Sequence, residues 1–185
     1  MQNNKVLFKI LNIIPNVKTE FYQSQYGFYS TNFLLKNLLI IIKNHFTYYF
    51  KILTYISGID YPTNLNRFKL VYDLLSIKFN NRIRIKILVD EISPVRSINS
   101  IFIGAVWWES EAWDMFGIIF SRQKVIVRLL TDYGFYGYPL RKDFPLSGFV
   151  ESKYNLFKDK IAYDFLELAQ SYRIFRQASP WETKY

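Results

Sequence analysis

The sequence predicts an α/β (α+β) protein: a two-layer domain of mixed β-sheet and helices over residues 31–130, followed by an extended C-terminal arm over 131–185. Three observations carry this. Residues 68–89 alternate apolar and polar side chains with the two-residue period of half-buried strands. Residues 33–42 and 98–116 repeat apolar side chains at helical spacing. From Thr131 onward, glycine and proline become too dense for either element to run far.

In chain order, residues 1–30 mix Asn, Gln and Tyr with short apolar runs broken by Pro15 and Gly27; they are set apart as an N-terminal extension. Phe33, Leu34, Leu38, Ile41 and Ile42 then define a helix, with Thr31 or Asn32 as its cap. "YYFKILTYISGID" (48–60) is aromatic and β-branched, ends near Gly58, and reads as a strand. "RFKLVYDLLSIKF" places Phe68, Leu70, Tyr72 and Leu74 on one face, and "NN" at Asn80–Asn81 signals a turn. "RIRIKILVD" puts Ile83, Ile85, Ile87 and Val89 on one side and Arg82, Arg84, Lys86 and Leu88 on the other. A hairpin with one buried face and one basic face follows.

After Pro94, the spacing of Ile98, Ile101, Phe102, Ala105, Trp108, Ala112 and Phe116 predicts a second helix, capped by Ser97 or Asn99 and ended by Gly117. "KVIVRLL" (124–130) reads as another strand, and "KIAYDFLELAQSYRIF" (160–175) as one helix carrying Ala162, Phe165, Leu166, Ala169 and Tyr172 on a face.

Composition narrows the chemistry. Half of the 185 residues are hydrophobic and 19% are aromatic, ample for a core and far from disorder. The heavy use of Phe, Tyr, Ile, Asn and Lys is what AT-rich codons give, so a single ring carries little signal. There is no cysteine, which excludes disulfides and thiolate metal clusters. His45 is the only histidine, lies in an apolar stretch, and has no second imidazole for a metal site. The net charge is +9; residues 1–96 carry 13 basic against 5 acidic side chains, so +8 belongs to the front half. Such a half suits RNA, acidic lipid or an acidic partner. "FLLKNLLIII" is too short and too charged to span a membrane. "MQNNKVLFKILNIIPN" lacks the Arg- and Ser-rich character and the cleavage site of a targeting peptide, so none is expected.

Reactive constellations are scarce. Glu109, Glu111 and Asp114 form the one acidic cluster, but on a helix Glu109 and Glu111 point about 200° apart, so a two-carboxylate hydrolase site does not converge. Glu109 and Trp113, four residues apart, read as helix-surface packing. "GFYG" lacks the strand-before, helix-after setting of a dinucleotide loop and the lysine of a phosphate loop. "RIRIKI" interleaves its charges with aliphatic rather than aromatic residues, so RNA binding stands as an alternative without a stacking platform. What remains is "WWESEAWDMFGI" and "DYGFYGYPLRKDFPLSG", rings mixed with charge as at interface centres. The second is either an arm presented to a partner or a loop wrapped on its own domain.

These two stretches, with "YRIFRQASPWE" near the end, closely resemble the thirty-kilodalton (NuoC-type) subunit family of respiratory complex I, carried in organelle genomes as NADH dehydrogenase subunit nine. The likeness runs from about Pro94 to Glu182; the first ninety residues match only in their pattern of elements. The chain departs from the family pattern at Ser110, where the family has Arg, at Tyr138, where it has His, and at Gln123-Lys124, where it has His-Pro. The resemblance implies a non-catalytic core subunit of NADH:ubiquinone oxidoreductase in the hydrophilic, quinone-module arm, peripheral on the matrix side of the mitochondrial inner membrane. It implies no cofactor in this chain. The partners are a NuoD-type quinone-site subunit, a NuoB-type iron–sulfur subunit and other hydrophilic-arm subunits; the iron–sulfur clusters and ubiquinone belong to them. The interface residues expected are Glu109, Glu111, Trp113, Asp114, Asp132, Tyr133, Arg141, Lys142, Asp143, Phe144, Pro145, Arg173 and Trp181.

Overall fold

Two alternating segments build the centre of the molecule. In the computed structural model, which describes residues 18–22, 25–46, 48–123 and 125–175, they are β4 (Phe68–Ser76) and β5 (Asn81–Val89), paired antiparallel with Tyr72 opposite Ile85 and Asp73 opposite Arg84. The two-residue period divides them as expected: Phe68, Leu70, Tyr72, Ile85 and Ile87 are fully buried, while Arg82, Arg84, Lys86 and Leu88 take the other face.

The sheet is larger than the hairpin. β3 (Ile52–Asp60) pairs antiparallel with β4, and β2 (Gln25–Ser30) pairs parallel with β5. β1 (Lys18–Tyr22) closes the far edge, giving the mixed order β1-β2-β5-β4-β3. Residues 18–22 and 25–30, assigned to an extension by sequence, are therefore strands of the sheet. Their alternation is masked because Gly27 sits in the middle of β2, and their main support is the ladder to β5 (register Tyr26↔Ile83 to Ser30↔Ile87).

Two helices cover one face. α1 (Asn32–Asn44) buries Leu35, Leu38, Leu39 and Ile42. Thr31 stands at its N-cap without a side-chain cap bond, and Asn32 does something else. Its amide donates to the Pro94 carbonyl (2.9 Å) and accepts from the Arg96 N–H (3.1 Å), which ties the helix start to β6 (Val95–Arg96). β6 pairs parallel with β7 (Phe120–Ser121). His45 ends α1, stacked on Phe46 and Tyr48.

α2 (Ala105–Phe116) lies against β3 and starts later than its apolar period suggests. Residues 98–104 form turns: Phe102 N–H reaches the Ile98 carbonyl, but the pattern is not continued until Gly104. Ile98, Ile101 and Phe102 are buried all the same, which is why the period reads through the break. α2 ends at Gly117, in the left-handed region at φ 77°, as the sequence implied. Each fully buried Leu, Ile or Phe of this layer contributes about 1.5–3 kcal/mol of transfer free energy.

Two further expectations fail. Residues 125–130 are not a strand, and 160–175 is not a helix. The second segment supplies β9 (Lys160–Phe165), paired antiparallel with β8 (Val150–Asn155). Ile161, Tyr163 and Phe165 alternate at period two while Ala162, Phe165 and Leu166 recur at helical spacing, so both patterns coexist. The turn decides. The Asn155 side chain accepts from the N–H groups of Phe157 (3.0 Å) and Lys158 (3.3 Å), and Asp159 takes φ 47°.

The chain divides into compact units of residues 1–144 and 145–185, so residues 131–144 belong with the α/β domain. Gly58 is a close-approach site within it: a Cβ there would lie 2.7 Å from the Phe116 ring. Gly58→Ala is expected to destabilise the domain by about 1–3 kcal/mol through overpacking, read as a lower urea midpoint with an unchanged slope.

Candidate subunit interface

The acidic cluster of α2 is bound into the fold. Glu109, expected on the helix surface, is completely buried. Its carboxylate accepts from the Ser97 hydroxyl (2.7 Å) and the Ile98 N–H (2.8 Å), so Ser97 serves this carboxylate and not a helix start. Burial pushes the Glu109 carboxyl up, and those two bonds offset it only in part.

Asp114, also fully buried, points elsewhere. Its Oδ2 accepts from the N–H groups of Leu129 (3.1 Å), Leu130 (2.9 Å) and Thr131 (3.1 Å). Its Oδ1 takes the Thr131 hydroxyl (2.6 Å) and the Arg128 guanidinium (3.0 Å). This explains the missing strand: the N–H groups that a ladder would use at 129–131 are held by one carboxylate. Burial raises the Asp114 carboxyl, but the bonds from Thr131, Leu130 and Arg128 outweigh it and hold it below the usual carboxylate range. Glu111 accepts from the Tyr55 hydroxyl (3.2 Å) on β3. The three carboxylates thus have three separate sets of partners.

Residues 132–144 rest on their own domain. Leu140 N–H donates to the Met115 carbonyl (3.1 Å), and Arg141 Nε to the Phe116 carbonyl (2.7 Å), at the C-terminal end of α2. The Arg141 guanidinium also lies over Phe68 (5.2 Å) and Tyr138 (4.6 Å). A Cβ on Gly117 would meet Arg141 and Tyr138 at 2.7 Å, so only glycine lets the loop sit this close. Lys142 N–H donates to Asp60 Oδ2 (2.8 Å). Arg67 gathers Asp60 (2.7 and 3.0 Å), Asp143 (2.8 Å) and Glu91 (2.5 Å) around one guanidinium. Arg67 first, with the Lys142 N–H behind it and against the cost of burial, holds the Asp60 carboxyl below its usual range; Arg67 lowers Asp143 as well. Phe144 packs on Phe135 (5.9 Å).

Other side chains of the loop face outward. Tyr133 and Tyr136 are about nine-tenths exposed, and Asp132, Lys142 and Asp143 are exposed at the side chain. Trp113 is half-buried beneath the Arg128 guanidinium (5.3 Å). In the second unit, Pro145 is half-buried, Arg173 is exposed, and Trp181 lies outside the described residues. The hairpin β8–β9 there is amphipathic. Val150, Ser152, Tyr154, Ile161, Tyr163 and Phe165 share one face, whereas Glu151, Lys153, Lys160 and Asp164 share the other, where Lys153 pairs with Asp164. Tyr154, Ile161, Tyr163 and Phe165 are all exposed, a signal that alternation in 150–155 and 160–165 carried and the helical spacing hid.

The departures at Ser110 and Gln123 meet in space. Ser110 is buried, donates to the Val106 carbonyl (2.9 Å), and accepts from Gln123 Nε2 (3.0 Å). Lys124 lies outside the described residues. Among the described residues, no three His, Cys, Asp or Glu side chains group as metal ligands, and no helix is long and apolar enough to cross a membrane.

These features define a class: an α/β domain whose carboxylates brace its own loops, extended by a segment with outward-facing rings, as in a subunit of a larger assembly. The model of the "Respiratory-chain NADH dehydrogenase, 30 Kd subunit" family matches residues 31–150, and the chain belongs to that family. "NADH-ubiquinone oxidoreductase subunit 9" of Prototheca wickerhamii is 43% identical over 161 residues, 87% of this chain and 84% of that protein. The protein of the same name from Reclinomonas americana is 46% identical over 78% of this chain and 71% of its own. "NADH dehydrogenase [ubiquinone] iron-sulfur protein 3" of Oryza sativa subsp. japonica is 44% identical over 88% and 86%.

Acid stability tests the carboxylate assignments. Asp114 and Asp60 have folded pKa values below the ordinary 3.8, so their stabilisation is complete above that pH and is lost as pH falls through the folded values. Glu109 has the opposite sign: its folded value lies above 4.5, so its contribution is complete below pH 4.5 and is lost as pH rises through the folded value. Asp114→Ala is expected to cost about 3–5 kcal/mol at pH 7, leaving Arg128 and three N–H groups without their acceptor. Glu109→Gln is expected to hold or raise stability at pH 7 and to flatten its decline above pH 4.5. Urea midpoints measured across pH check both.

Proposed function

We propose that the chain is a non-catalytic core subunit of NADH:ubiquinone oxidoreductase, respiratory complex I, with a structural and assembly role in the hydrophilic, quinone-module arm. It supports the transfer of electrons from NADH to ubiquinone that the whole complex couples to proton pumping. The observation that carries this reading is the family match over residues 31–150. The side-chain geometry agrees with it. Glu109, Glu111 and Asp114 are each held by partners within the fold, and the hairpin turns Tyr154, Ile161, Tyr163 and Phe165 outward.

The partners in this reading are the NuoD-type quinone-site subunit and the NuoB-type iron–sulfur subunit, which hold the ubiquinone site and the clusters. With no cysteine, this chain offers no thiolate for a cluster. Its place is the matrix side of the mitochondrial inner membrane, attached through those neighbours. A two-stranded hairpin is marginal by itself in water, and burying its aromatic face on a neighbour removes that weakness. The α/β domain holds 132–144 in place beforehand, so less conformational entropy is lost when Tyr133 and Tyr136 meet a neighbour.

The relatives named above give the RNA-binding alternative no support, and two of its basic side chains are engaged: Arg84 with Asp73 (2.9 Å) and Lys86 with Glu20.

Native isolation in mild detergent tests the reading: the chain is expected to travel with NADH dehydrogenase activity, and travel with ribosomes instead would overturn it. Within the assembly, replacing Tyr163 and Phe165 with Ser is expected to reduce incorporation at least about tenfold while the domain's thermal midpoint is unchanged. Arg141→Ala with Asp143→Ala is expected to leave the domain folded, speed amide exchange over 138–144 and impair assembly. Normal amounts of active complex in both variants would remove the interface role of these residues.

A further inference from the structure

The helix-free face of the sheet carries a feature the family match does not account for. Between β1, β3, β4 and β5 lies a groove of about 420 Å³, whose lining includes Glu20, Ile59, Lys69, Asp73, Arg84 and Lys86. Its charges are ordered. Arg84 is paired with Asp73 directly across the strands, and Lys86 with Glu20, which also takes the Tyr29 hydroxyl (3.0 Å). Three cations against two carboxylates leave one positive charge over, and it is Lys69.

Lys69 is half-buried. Among the described residues its ammonium has no carboxylate or carbonyl acceptor; it lies over the rings of Tyr29 (5.6 Å) and Tyr61 (5.1 Å). Lys86 shares the Tyr29 ring (5.3 Å), and Lys142, from the loop, shares Tyr61 (5.6 Å). Three ammonium groups thus surround two tyrosines, and Lys69, unlike Lys86, makes no ion pair among the described residues, acting on the Glu20 carboxylate only at a distance. An ammonium that has lost part of its water gains most from an acceptor that brings a full negative charge.

We infer that this groove is a docking site for an acidic segment of a neighbouring subunit, one of whose carboxylates pairs with Lys69. The inference rests on the proposed role as a subunit and names the chemistry of one neighbour. Charge complementarity carries it: the exposed rim adds Lys18 and Arg82 to the groove's surplus, so the face is positive without being a bare cationic patch. Ile59 and Val71 form an apolar wall suited to the methylenes of an Asp or Glu side chain. The Tyr29 and Tyr61 rings are covered by ammonium groups, which leaves no stacking platform for bases and favours polypeptide over RNA.

Carbodiimide coupling tests it, because that reagent joins an amine to a carboxylate only when the two are already in contact. In the native assembly, a cross-linked peptide is expected between Lys69 and an Asp or Glu of another subunit. Lys69→Arg is expected to keep assembly and abolish the cross-link, and Lys69→Glu to release the chain at lower salt. The isolated full-length chain is expected to bind a hexaglutamate peptide at low salt, about tenfold more weakly after Lys69→Glu. Links from Lys69 only to Glu20 or Asp73 of the same chain, peptide binding indifferent to Lys69→Glu, or nuclease-sensitive retention would each overturn the inference. Peptide binding through Lys69 in a chain that does not travel with NADH dehydrogenase would overturn the subunit reading and leave the groove standing. Co-migration without cross-link or peptide binding would do the reverse.

Discussion

The arrangement beyond the second helix depends on one buried carboxylate. Asp114 gathers the N–H groups of residues 129, 130 and 131, the Thr131 hydroxyl and the Arg128 guanidinium onto the buried side of α2. A segment with strong strand propensity is thereby satisfied without a strand neighbour. Five donors on one carboxylate outweigh the cost of taking it out of water, which is why its pKa falls although it is buried. The starting point of 132–144 follows from that anchor.

A second anchor finishes what the first begins. Arg67 draws Asp60, Glu91 and Asp143 together, and Asp60 in turn receives the Lys142 N–H. The end of β3, the start of β4 and the loop are thus tied at one point. The loop is neither a free arm nor a fully buried wrap. Its backbone and its Arg141 are committed to the domain, while Tyr133 and Tyr136 stay exposed. Rigid rings on a tethered backbone suit protein recognition, since the ordering cost is met within the subunit.

The distribution of charge follows the same economy. Carboxylates that resembled a catalytic cluster serve as acceptors for buried N–H groups, and basic strand residues that resembled an RNA-binding face are largely matched with Glu20 and Asp73. What is left outward on β8–β9 is largely apolar and aromatic, and in the sheet groove the half-buried Lys69 ammonium has no ion pair among the described residues. That pattern agrees with a family whose named relatives are subunits of NADH dehydrogenase.

Local periodicity alone determined the centre of the protein. The alternation of Phe68–Leu74 and Ile83–Val89 specified both the strands and their buried face, because the two-residue period admits one arrangement with the apolar side inward. Leu38, Ile42 and Gly117 marked helix and helix end in the same way. Motif resemblance, too, was legible in the residues of 107–118 and 131–148. Only tertiary structure decided the rest, wherever one group could serve several partners. Residues 25–30 became a strand on the edge of β5, with 18–22 paired to them in turn; Ile98 to Gly104 are turns although their apolar side chains are buried; and 125–130 lost its strand to Asp114. In 160–165, two periods fitted the same letters, and the partner strand at 150–155 chose between them. A sequence lists donors and acceptors, but which of them meet, from 11 residues apart for Ile98 and Glu109 to 82 for Asp60 and Lys142, is settled by the packing of the whole chain.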